Sequence, residues 1–281
     1  MRLSGLSSVV PLDALGNAAS HLQRAALWQI HAPAFAACTT AMNSSTTTLN
    51  PALPWLAALS GATAILAFTG LLPAWVGFVF KPLTTLLIIA YAWPRGAGAP
   101  SQRRYVRTGL ILSLAGDVAL LWPMRGFLPG LVAFLLAHLA YIAAFCVPLR
   151  LAARPLAFVG YALVALLVLR QLWPGIAEPL RAPVVAYVVA LATMAAQALA
   201  WWRASAAHHA ADAPLARAAA LGGMLFMASD SLLAINKFAA PLPLASLWIL
   251  ASYWLAQGCI ASSLRLDAAA PKAGAISGRR G

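Results

Sequence analysis

The sequence predicts an all-α protein, a polytopic membrane helix bundle with eight transmembrane helices, and three observations carry that reading. Of its 281 residues, 62% are hydrophobic and only 9% charged, whereas a soluble domain usually carries about 25% charged residues. A soluble chain of this length would need a charged surface to meet water, and the charge is not available. Eight runs are long and apolar enough to cross a bilayer, for which about 20 residues are required. Prolines and glycines punctuate the chain between those runs.

Residues 1–50 stand apart. They mix polar and apolar residues and end in the polar run NSSTTTLN. They lack the cationic, apolar and small-residue order of a cleavable signal peptide. An N-terminal extension without catalytic function is expected here, amphipathic around LQRAALWQI or disordered. The first two spans, 54–71 and 74–93, are parted by Pro73. Pro94, Gly96, Gly98 and Pro100 interrupt the chain before the third, 105–122, and Pro123 separates it from the fourth, 127–147. Pro148 precedes the fifth, 155–173, and Pro174 the sixth, 182–202. Pro214 opens the seventh, 215–236, and Pro241 lies before the eighth, 243–264. The spans make one domain over 51–265, followed by a basic, disordered tail at 266–281. SLAGDVALLW at 113–122 echoes FMASDSLLAI at 226–235, with the aspartates 113 positions apart. Four spans per half make that echo a parallel 4+4 pseudo-repeat, of like orientation rather than inverted.

The net charge is +13, which in a soluble chain would point to nucleic acid. Here the arginines fall mainly in short turns between apolar runs, where headgroups and topology account for them, so no nucleic-acid partner is expected. One side of the bundle collects fourteen cations with both termini, from Arg2 and Arg24 through Arg95, Arg150 and Arg217 to Arg280. The other side has four: Arg125, Arg170, Arg181 and Lys237. The positive-inside rule then puts both termini in the cytoplasm. Sixteen arginines against three lysines fit a GC-rich bacterium, hence a plasma (inner) membrane. The three cysteines are scattered without CxxC spacing, so neither a disulfide framework nor a cysteine-type zinc site is indicated.

Only six residues are acidic, and only Asp117 and Asp230 fall inside spans, each about five residues from the outer end of its segment. An ionisable group at membrane depth costs several kcal/mol unless paired or hydrated, so it turns to a bundle interior or cavity. Polar neighbours share helical faces with them and with residues on three further spans: Lys81 with Thr84 and Thr85, Asp117 with Ser113, His138 with Tyr141, Tyr253 with Gln257, and Asp230 with Lys237. Five converging stripes favour a shared polar site over two isolated ion pairs, Asp117 with Lys81 and Asp230 with Lys237, that would merely fix helix register. The five histidines do not group into a metal site, and no GxSxG elbow is present. That leaves acid and base chemistry by carboxylates, with no cofactor required. A proton-coupled transporter of small molecules or lipids would use the same intramembrane charges.

KPLTT (81–85), GDVALL (116–121), FLLAHLAY (134–141), SDSLLAINKF (229–238) and YWLAQ (253–257) resemble, in order, the signature segments of the YhhN-like lysoplasmalogenases. The resemblance covers roughly residues 52–264. It departs from the family at Trp254, where members often carry a second tyrosine. The resemblance implies an eight-span hydrolase that cleaves the vinyl ether bond of a lysophospholipid, the lysoplasmalogen, to a fatty aldehyde and a glycerophospho-headgroup. It carries the functional positions onto Lys81, Asp117, His138, Asp230, Asn236, Lys237, Tyr253 and Gln257, and the chemistry of the reaction then makes Asp117 and Asp230 the expected catalytic pair and the other six substrate-binding. Vinyl ethers hydrolyse through an oxocarbenium ion, so one protonated acid and one anion are needed, as in glycosidases. Which aspartate is the acid stays open at this point, as do the oligomeric state and the physiological headgroup.

Overall fold

The computed structural model describes residues 51–266, which leaves the extension at 1–50 and all of the basic tail but Leu266 outside the described residues. The described chain is helical, with eight α-helices: α1 (Ala52–Phe68), α2 (Ala74–Ala92), α3 (Pro100–Ala119), α4 (Pro123–Cys146), α5 (Pro155–Leu172), α6 (Glu178–Ala207), α7 (Ala213–Phe238) and α8 (Ala245–Ser262). A single 3₁₀ turn, Trp173–Gly175, leads from α5 towards α6.

Five of these helices, α2, α4, α5, α6 and α7, are long and apolar enough to cross a membrane. The protein is therefore an integral membrane protein. α1 is apolar but has 17 residues, and α3 spends its first turns on Gln102, Arg103, Arg104 and Arg107. Several helices begin earlier than apolarity alone predicts. Pro100, Pro123 and Pro155 occupy first helical positions, where the missing N–H has no intrahelical partner to lose and φ is already helical. α6 is the longest, with 30 residues. It takes in the EPLRAP segment, because Glu178 and Pro179 suit a helix N-terminus even though they are not apolar.

Helices α2, α3, α4, α6, α7 and α8 pack in that order into a closed ring, since α8 returns to α2. α1 lies outside against α2 and α8, and α5 outside against α6. Large apolar side chains on the outer helices, among them Leu59, Leu156, Leu163, Leu166 and Leu167, are exposed, as expected of a surface that meets lipid. The inner faces are lined by small residues: α6 buries Ala190, Ala192, Ala195, Ala196, Ala198 and Ala200, which lets neighbouring backbones come close. On α3, the Cβ positions of Gly109 and Gly116 are occupied by the rings of Tyr141 and Phe134 from α4. Those two glycines draw α4 onto α3 and set Asp117, the next residue, facing inward.

At the arginine-bearing end, Arg95 is buried at 2% exposure. Its guanidinium stacks on Tyr91 at 4.1 Å, donates to the Tyr91 hydroxyl at 2.6 Å and reaches the Leu264 carbonyl at 3.4 Å. Beside it Gly96, at φ +83°, donates its N–H to the Arg265 carbonyl at 2.8 Å; that left-handed backbone favours glycine. The α2–α3 turn is thus clasped to the end of α8. Burial pushes the Arg95 guanidinium below its ordinary range, with the adjoining Tyr91 opposing the shift. Cys146 is a free thiol.

Candidate active site

The polar residues singled out in the sequence lie on different helices, and the ring brings most of them to one cavity of about 500 Å³. Its walls come from the last turns of α1, α3, α5 and α7 and the first half of α2, α4, α6 and α8. The cavity therefore sits toward the end of the bundle remote from the arginine-bearing turns α2–α3, α4–α5 and α6–α7. Lys81, Asp117, Asp230, Asn236, Lys237 and Tyr253 all line it. Most of the remaining wall is apolar, with Phe127, Leu131 and Phe134 from α4, Val168 and Leu169 from α5 and Val184 and Leu191 from α6 among its members.

Asp117 is 1% exposed and fully engaged. Its Oδ2 accepts from the Thr85 hydroxyl at 2.6 Å and from the Tyr253 hydroxyl at 2.7 Å. Its Oδ1 lies 3.8 Å from Lys81 Nζ, a buried ion pair. The arrangement continues outward, because Trp254 Nε1 donates to Thr85 Oγ1 at 3.3 Å. Trp254, the departure from the family pattern, thus supports the carboxylate at one remove.

Asp230 has a simpler environment. The Tyr187 hydroxyl of α6 donates to its Oδ2, and among the described residues no cation lies within ion-pair distance. The second ion pair considered from the sequence is absent: Lys237 Nζ instead sits over the Phe127 ring at 4.2 Å. Seven residues along a helix is a rise of about 10 Å, too far for the lysine to bend back to Asp230 while its head stays near the helix end. Asn236 uses its Oδ1 to accept the Leu242 N–H at 2.9 Å, which fixes the turn into α8.

His138 and Gln257 do not line the cavity. His138 is fully buried behind it and makes no hydrogen bond to the described residues. Its ring meets Phe226 at 4.7 Å and Tyr187 at 5.1 Å, edge to face. Gln257 Oε1 accepts from the Tyr141 hydroxyl at 2.7 Å, linking α8 to α4. Phe226 also meets Phe134 and Tyr253, at 6.3 and 5.6 Å. One aromatic cluster therefore holds the rings of both Tyr187 and Tyr253, the hydroxyl donors of the two aspartates.

Tyr187 is the site residue that sequence reasoning missed. It stands alone in PVVAYVVALA, with no polar partner one turn away, so no stripe marked it. A hydroxyl in an otherwise apolar run was the only signal.

Comparison with known proteins gives a consistent picture. Residues 76–264 match the YhhN family. The chain is 35% identical to a Sus scrofa protein, lysoplasmalogenase TMEM86B, over 68% of this chain and 76% of that one. It is 31% identical to lysoplasmalogenase TMEM86A of Homo sapiens, over 68% and 79% of the two chains. It is 34% identical to a lysoplasmalogenase of Mycobacterium tuberculosis, over 57% and 59%. No solved structure matches.

Proposed function

The chain belongs to the YhhN family, and on that premise we propose that it is a membrane hydrolase that cleaves the vinyl ether bond of lysoplasmalogens, giving a fatty aldehyde and a glycerophospho-headgroup. The relatives just described bear that activity in their names. The observation that carries the reading is that two carboxylates and a largely apolar wall share one cavity of about 500 Å³, which suits a reaction at the junction of an alkyl chain and a polar head.

The chemistry follows from the pair. One aspartate gives its proton to the β-carbon of the vinyl ether; the π electrons form the new C–H bond and leave an oxocarbenium ion. Water adds to the α-carbon and passes a proton to the other aspartate, giving a hemiacetal. That proton then goes to the departing glycerol oxygen as the C–O bond breaks, and the hemiacetal hydroxyl proton restores the first acid. Both carboxyl groups return to their starting states, and the apolar wall keeps bulk water from the cation. Lys81 is committed to Asp117, so the substrate phosphate falls to Lys237, which is exposed at the end of α7 with Asn236 beside it. His138 and Gln257 act from behind the wall, through the aromatic cluster and Tyr141.

In the membrane, all eight helices are taken as spans, α1 and α8 included. The matching contacts of α2 with α8 and of α6 with α4 support a parallel 4+4 arrangement over residues 51–265. The arginine-bearing turns and both termini then face the cytoplasm of a bacterial inner membrane, and the site lies in the outer half of the bilayer. Incubating purified protein with a lysoplasmalogen and with a matched acyl lysophospholipid tests the reaction. Aldehyde from the first is expected; fatty acid from the second without aldehyde from the first would make the protein a lysophospholipase instead.

A further inference from the structure

Resting on that hydrolase reading, we infer that the two aspartates hold fixed and different roles: Asp230 is the proton donor, Asp117 the anion, and Tyr187 is the positioning residue that separates them. The assignment comes from what each carboxyl oxygen touches. Every bond to Asp117 favours its ionised form, with two hydroxyls donating to Oδ2 and the Lys81 ammonium 3.8 Å from Oδ1. Before the first step, therefore, Asp117 holds no proton to give. Asp230 has one oxygen engaged and one free. Tyr187 occupies Oδ2 as a donor, so a proton on this group belongs on Oδ1, which accepts no bond from the described residues on a side chain that lines the cavity.

The Tyr187 hydroxyl therefore determines which oxygen carries the proton and where that proton points. Its ring is held against His138 at 5.1 Å, and His138 against Phe226 at 4.7 Å, so the hydroxyl cannot swing away without disturbing the cluster. Tyr253, Asp117 and Lys81 also border the cavity, from α8, α3 and α2. Lys237 lies two turns further along α7, and His138 lies behind the Tyr187 ring. Lys81 and Lys237 are the two lysines among these, and each already has its own partner, Asp117 or the Phe127 face. In the first step the Asp230 Oδ1 proton moves to the β-carbon, and Asp117 later takes the proton of the attacking water.

The test uses purified full-length protein in detergent and reads aldehyde release from a lysoplasmalogen across pH for the wild type, Tyr187→Phe and Tyr253→Phe. Both substitutions keep the ring, and so the aromatic packing. A donated hydrogen bond favours the carboxylate, so its removal shifts the profile upward by roughly one pH unit. With Asp230 as donor, Tyr187→Phe moves the alkaline limb, where the acid is lost, and lowers kcat about tenfold with KM within twofold. Tyr253→Phe moves the acid limb, where the anion is lost. The opposite pairing of variants and limbs would reverse the roles, and an unchanged Tyr187→Phe profile at full kcat would remove Tyr187 from the mechanism. A wild-type protein that releases no aldehyde would overturn the reaction itself, and the assignment with it, an outcome separate from a working enzyme with the wrong limb.

Discussion

Replacing Lys81 with methionine keeps the length of the side chain and removes its charge from beside Asp117. At 3.8 Å and an effective dielectric of about 20, the attraction between the two charges is about 4 kcal/mol. Both residues are buried, at 7% and 1% exposure, so water offers the abandoned carboxylate little compensation. Two remaining donors, Thr85 and Tyr253, keep some of its stabilisation, since a bond to a charged group contributes about 1.5–3 kcal/mol. The single substitution Lys81→Met is therefore expected to cost about 3 kcal/mol of stability. The double variant Lys81→Met/Asp117→Asn leaves no charge stranded, and its cost should fall below the sum of the single costs by about 2 kcal/mol. Equilibrium unfolding in mixed micelles of the wild type, both single variants and the double variant measures that coupling. Costs that simply add, with coupling under about 0.5 kcal/mol, would mean that the two groups do not form an ion pair in the membrane.

Two further outcomes follow from other parts of the molecule. Leu169→Trp, on the α5 wall, fills part of the cavity and should lower kcat/KM for a long-chain substrate by at least about tenfold while sparing a short-chain one, because a buried methylene carries roughly 0.8 kcal/mol; equal loss for both chain lengths would place the alkyl group elsewhere. Arg95→Ala removes the stacking on Tyr91 and the bond to the Leu264 carbonyl, with an expected loss of about 2–3 kcal/mol. Thermal unfolding should register that loss, while kcat per folded molecule stays at the wild-type value.

The helix bundle was legible because lipid imposes a length and an apolarity on a crossing; eight runs were read that way, and five of the described helices meet both. Helix limits were less so: hydropathy registers where hydrocarbon ends, not where hydrogen bonding ends, and α3 and α6 extend past their apolar runs at Pro100 and Glu178. The carboxylates could be found because charge is rare in this chain and conspicuous in an apolar run. Their partners divide by kind. Lys81 and Tyr253 belonged to stripes and could be picked out from helical spacing. Tyr187 and the α5 wall could not, since their contacts cross between helices and nothing on their own helix marks them. The expected Asp230–Lys237 pair failed for a related reason: two residues on one face need not be within reach.

The closure of the ring by α8 bears on how the protein is made. Lys81 and Asp117 belong to the second and third helices, so their charges can neutralise each other while the rest of the chain is still being synthesised. Tyr253, which completes the hydrogen bonding of Asp117, and Leu264 and Arg265, which receive the clasp from the α2–α3 turn, arrive only with the last helix. A nascent chain therefore carries its buried charges safely but holds no finished catalyst. On the proposed mechanism, lipid cleavage begins only when α8 has packed back against α2.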